Sequence, residues 1–137
     1  MLPRGYGVRV DGRLRRVSTD DKRNHELDSL IDIRIAARLE ALFTKYSNEG
    51  PQSLPKQQFR FEMHHNRGSS QVRVEAFKAQ HVRMYGFCSQ CDKRPTFFVT
   101  ASDLAKKQDK ADKETLVMAG DLALDIDRFL KSPNAKE

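Results

Sequence analysis

Val72-Arg73-Val74-Glu75-Ala76-Phe77, Val82-Arg83-Met84-Tyr85-Gly86-Phe87 and Thr96-Phe97-Phe98-Val99-Thr100-Ala101 are the segments whose reading decides the fold. They are rich in β-branched and aromatic residues and alternate along the chain, the period-two pattern of strands that bury one face. Polar stretches separate them, Lys78-Ala79-Gln80-His81 between the first two and Cys88 to Pro95 between the second and third. Upstream, Phe59-Arg60-Phe61-Glu62-Met63-His64 has the same period and reaches the Val72 segment through Asn66-Arg67-Gly68-Ser69-Ser70. Four successive strands with short connections predict an antiparallel meander.

Helical patterns flank the meander. From Asn24 to Tyr46, the residues Leu27, Ile31, Ile35, Leu39, Leu42, Phe43 and Tyr46 recur at helical spacing, and Asn48-Glu49-Gly50-Pro51 ends the run. Downstream, Asp109 or Asp112 caps a helix whose apolar face is Leu116, Ala119, Leu122, Ala123, Ile126, Phe129 and Leu130. The expected fold is therefore α+β, an antiparallel four-stranded sheet packed on one face by an N-terminal helix and a C-terminal helix. Residues 25–130 read as a single domain of ordinary size. Residues 1–24 read as a basic extension or a hairpin around Asp11-Gly12, and 131–137 as a frayed tail.

A net charge of +6 and a pI near 9.5 favour a polyanionic partner, because cationic surfaces release counterions from nucleic acid and steer its approach. No apolar run approaches the roughly 18–20 residues of a membrane span, and the N-terminus lacks the apolar core of a signal peptide, which together predict a cytoplasmic protein with no membrane partner. Two cysteines are too few for a secreted disulfide scaffold.

Over residues 58–130 the order of pieces resembles the RelE/ParE toxin superfamily of toxin-antitoxin modules, including its phage-associated branches. The pieces are the strand with Arg73 and Glu75, the strand Val82-Arg83-Met84-Tyr85, the apolar Phe97-Phe98-Val99 strand, and Lys106, Lys107 and Lys110 before a helix. In its ribonuclease members the resemblance implies metal-independent cleavage of messenger RNA, commonly on the ribosome, by attack of a ribose 2′-hydroxyl on the adjacent phosphorus. It also implies an antitoxin partner and no cofactor.

That chemistry needs a proton acceptor, cations for the extra charge on phosphorus and an acid for the leaving oxygen. The resemblance puts Arg83 first among the catalytic candidates, and alternation sets Arg83, Tyr85 and Phe87 on the face opposite Val82 and Met84. Arg73 and Lys78 follow as cations, with Glu75 or His81 for proton transfer. Lys106, Lys107 and Lys110 extend the phosphate-binding surface.

Other readings stand beside these. Arg83 also reads as an exposed strand arginine paired with Glu75 or Glu62. A non-catalytic nucleic-acid- or protein-binding module of phage origin and a ParE-like gyrase inhibitor are the rival functions. Cys88-Ser89-Gln90-Cys91 has the spacing of half a zinc site, which His64, His65 or His81 would have to complete, whereas a turn carrying two reduced thiols needs no partner.

Overall fold

Asp11-Gly12 turns the chain back on itself, so that β1 (Tyr6–Asp11) and β2 (Arg16–Asp20) pair as an antiparallel hairpin. In the computed structural model, which describes residues 1–105 and 112–132, this hairpin is no appendage. β2 pairs in parallel with the last strand, through Arg16 opposite Thr96, Val17 opposite Phe97 and Ser18 opposite Phe98. The expected four-stranded antiparallel sheet is thus a mixed six-stranded one. The meander follows as β3 (Phe59–Arg67), β4 (Ser70–Ala79), β5 (Val82–Cys91) and β6 (Arg94–Asp103), and the spatial order is β1-β2-β6-β5-β4-β3.

The strands of the meander run past the apolar pattern that announced them. β5 and β6 continue through most of the predicted connection and meet at Asp92 and Lys93, both at positive φ (53° and 65°), the twist that tight hairpin turns require. Gly86 marks the closest approach between these strands, since a Cβ there would collide with the Phe98 carbonyl.

The first helical pattern divides. α1 (Asp21–His25) starts on the Asp20 side chain, which accepts from the Arg23 amide, and a π-helical turn (Glu26–Leu30) follows. The chain then extends at Ile31 before Asp32 caps α2 (Ile33–Glu49). A free N-cap carboxylate at Asp32 satisfies donors that a continuous helix would have bonded internally, so one long helix is replaced by two segments. As expected, α2 stops at Gly50, whose φ of 92° is open to glycine but strained for other residues. Asp112 caps α3 (Lys113–Lys131) by accepting from the Thr115 amide and hydroxyl. The alternative cap, Asp109, lies outside the described residues, as do residues 133–137 of the expected tail.

Helices cover both faces of the sheet, rather than one. Strand alternation explains the division, because β4 and β5 carry apolar residues of both parities. On the α2 side, Phe77, Val82, Met84, Phe97 and Val99 pack with Leu39, Leu42, Phe43 and Tyr46. Phe77 is the hub, in contact with the rings of Phe43, Tyr46, Phe59 and Phe97 at centroid distances of 4.7–5.2 Å. On the α3 side, Val74, Ala76, Tyr85, Phe87 and Phe98 meet Leu116, Ala119, Ala123, Leu124 and Ile126. The small residues let α3 lie close, and Gly120 faces His65 with no room for a Cβ. The Thr100 hydroxyl donates to the Ala119 carbonyl at 2.9 Å, which ties β6 to the helix. No helix among the described residues is long and apolar enough to cross a membrane.

Candidate nucleic-acid interface

The sequence candidates separate onto the two faces. Lys78 on β4, Arg83 on β5 and Asp103 on β6 occupy one cross-strand row, on the face α3 covers. One row along, Ala76, Tyr85 and Ala101 stand side by side. Arg83 is only 2% exposed, so the rival reading of an exposed strand arginine is not met, although it lies opposite Val82 and Met84 as alternation set it. It does not pair with Glu75, which occupies the other face. Among the described residues, the acidic groups around this row are Glu62, Asp103 and Asp112, each near enough to act on the Tyr85 phenol.

Tyr85 is fully buried, and its hydroxyl makes no hydrogen bond among the described residues. Burial pushes its pKa up from 10.0 to about 12, with Arg83 pulling the other way. The unfolded chain therefore ionises first. Stability from the buried neutral phenol is intact below pH 10 and is lost as pH rises toward about 12. Tyr85→Phe removes an unsatisfied buried oxygen while keeping the ring, so it should raise stability by up to about 1 kcal/mol at neutral pH. It should also soften the alkaline decline, which urea titrations at pH 7 and above pH 10 would measure; a clear destabilisation at neutral pH would mean that the hydroxyl is bonded.

The other face has an open half. The last turn of α2 closes on the β1–β2 connection, where the Ser47 carbonyl accepts from the amides of Leu14 and Arg15 at 3.0 and 3.1 Å. Beyond that seam the sheet projects past the helix. Here lie Phe61 and His64 on β3, Arg73 and Glu75 on β4, and Cys88 and Gln90 on β5. Phe61 is 40% exposed. The Arg73 guanidinium sits 4.2 Å from the centre of the Phe61 ring, with its Nε 3.3 Å from Glu75 Oε2 and about half of the side chain in solvent. His64 approaches the same ring at 4.9 Å. At the far side of this surface, Arg15 lies 5.2 Å from the centre of the Tyr46 ring, with one nitrogen 4.0 Å from Cys88 Sγ.

This surface arises from local sequence in an identifiable way. A register shift between Phe61 and Met63 gives β3 one extra residue, so that His64 shares a face with Phe61 and Arg73 while Met63 and His65 turn to α3. Glu75 lies directly across from Phe61 and holds the arginine over the ring. A cation over an aromatic face is attracted by the ring quadrupole, and Arg keeps that charge at every working pH.

Of the residues expected to act together, Arg73 and Glu75 lie on the open face, and Lys78 and Arg83 on the covered one. His81 sits at the β4–β5 turn, exposed and at the opposite end of the sheet from the β3–β4 turn. The five do not form one constellation. Lys106, Lys107 and Lys110 lie outside the described residues. Cys88 faces the α2 side beside Tyr46, whereas Cys91 belongs to the α3-side core, so the two thiols do not converge on a common ion. His65 is held by Asp121 at 2.8 Å, and no metal-binding group of three His, Cys, Asp or Glu occurs among the described residues.

Sequence reasoning missed Phe61, His64 and Arg15 as partners of Arg73. The sequence carried little signal for this, because Phe59 to His64 alternates without a break while the bulge between Phe61 and Met63 moves Met63 to the opposite face from Phe61. A separate cleft of about 420 Å³ lies between the β3–β4 turn and the end of α3, lined by Arg67, Arg128, Lys131 and Asp127 among others. Its cations are largely committed, since Arg67 pairs with Asp125 at 2.7 Å and Lys131 with Asp127 at 2.9 Å.

No protein-family model matches the chain, and neither a curated protein nor a solved structure matches it.

Proposed function

We propose that this chain is a RelE-like protein that binds RNA through the open half of its sheet, with Arg73 as the leading contact. The observation that carries the reading is the exposed Arg73 guanidinium held over an exposed Phe61 ring on a surface that none of the described helices covers. Arg15 and His64 widen that surface, and the net charge of +6 favours a polyanion over other partners. The α+β build and the antiparallel order from β3 to β6 are what the superfamily resemblance leads one to expect.

Messenger-RNA cleavage within a toxin-antitoxin pair is the second reading. It is favoured by Lys78, Arg83 and Tyr85 lying together with Glu62 and Asp103 close by, a set that holds cations and proton-transfer groups. It requires RNA to reach Arg83 and Tyr85, which are buried on the face α3 packs against.

The binding reading is tested by titrating a labelled RNA with wild type and Arg73→Ala over a range of salt. Loss of one phosphate-directed cation should weaken binding about tenfold and lower the salt slope by roughly one. Unchanged affinity and slope would remove Arg73 from the interface. The cleavage reading is tested by controlled expression in bacteria with growth and mapped messenger-RNA ends recorded together. New ends and arrest would support it, whereas intact messages from folded protein would remove it for that host.

A further inference from the structure

We infer that the open half of the sheet is a stacking platform for unpaired bases, which makes single-stranded nucleic acid, not duplex, the ligand class of this protein. The inference rests on the RNA-binding reading and specifies what the surface recognises. Two planar groups are available on it, the Phe61 ring and the Arg73 guanidinium, at 4.2 Å from each other. Planar side chains in water gain most from another planar π-system, and unpaired bases are the nucleic-acid groups that expose one. In a duplex each base face is already occupied by its neighbour, so a ring lying on a sheet has nothing there to stack on.

Charge and shape agree with that occupant. The platform crosses β3, β4 and β5, adjacent strands about 4.8 Å apart, a width suited to a few nucleotides laid across the pleat. Arg15 stands at its far side near Cys88, while His64 and Arg73 stand at the β3 side. A backbone running between them meets Arg15 at one end and Arg73 at the other, and a base between them meets the outer face of the Arg73 guanidinium, which Phe61 supports from below. Glu75 is a carboxylate on the path, and its bond to Arg73 Nε occupies it. The guanidinium is thereby fixed over Phe61 before any ligand arrives, which reduces the ordering cost of binding.

A comparison of a fluorescent oligouridylate, the same sequence as DNA and a blunt RNA duplex of equal length, each titrated at fixed salt, tests the inference. Wild type should bind both single strands at least tenfold more tightly than the duplex, with little preference between RNA and DNA, because stacking reads base faces and not the 2′-hydroxyl. Phe61→Ala should weaken single-strand binding about tenfold, the lower part of the range for one stacked base, and Phe61→Trp should restore it. Phe61 is partly exposed, so thermal unfolding of the variants serves as the folding control. Equal binding of duplex and single strand with no effect of Phe61→Ala would overturn the platform while leaving the RNA-binding reading in place. Failure of wild type to bind any of the three would overturn both.

Discussion

Phe77→Ala is expected to lower folding stability by about 4 kcal/mol, read as a fall in the urea midpoint with the slope unchanged. The ring is fully buried and touches four other aromatic rings, from α2, from the neighbouring β3 and, across β5, from β6. Truncation loses the transfer free energy of the ring and leaves a cavity that the surrounding rings cannot fill without leaving their edge-to-face geometry. Because α2 meets the sheet through this cluster, a compact state with loosened helix packing is the expected product of further weakening at Phe43 or Tyr46. A cost near 1 kcal/mol would mean that the cluster relaxes around the gap.

Arg83→Ala is expected to cost about 3 kcal/mol, for an electrostatic reason. Its guanidinium is buried in a row beside Lys78 and Asp103, with Glu62 and Asp112 near the adjacent Tyr85. Removing a buried cation leaves nearby carboxylates without their compensating charge and empties buried volume. Arg83→Met should recover the packing share of the loss and leave the charge share, so the two variants together divide the effect. A near-neutral Arg83→Ala would show that the row is solvated enough to dispense with the arginine. The result governs how growth assays are interpreted, since an inactive Arg83 variant is informative only if the protein remains folded. Arg73→Ala, on an exposed side chain, separates function from folding more cleanly.

Much of the fold was legible in period and punctuation. The meander from Phe59 to Asp103, the end of the first helix at Gly50 and the Asp112 cap all follow from short-range chemistry, because alternation, positive φ and capping act within a few residues. The N-terminal hairpin was also announced by Asp11-Gly12. Its place in the sheet was not, since the parallel pairing of β2 with β6 joins residues about 80 positions apart and leaves no local trace. The division of the first helix at Ile31-Asp32 was masked by the helical spacing of Leu27, Ile31 and Ile35, which reach the same core from the π-helical turn, the extended link and α2.

The site was less legible for a related reason. Alternation correctly sets Arg83 and Tyr85 against Val82 and Met84, yet it says nothing of which helix covers which face. Sequence by itself determined the strands, their turns, the basic character and the presence of Arg73 and Arg83, all properties of neighbouring residues. Only the tertiary structure decided that Arg83 is buried, that Arg73 stays exposed on the other face, and that a β3 bulge brings Phe61 and His64 to the same surface. Exposure depends on the packing of distant elements, and packing is set by the summed burial of apolar faces along the whole chain.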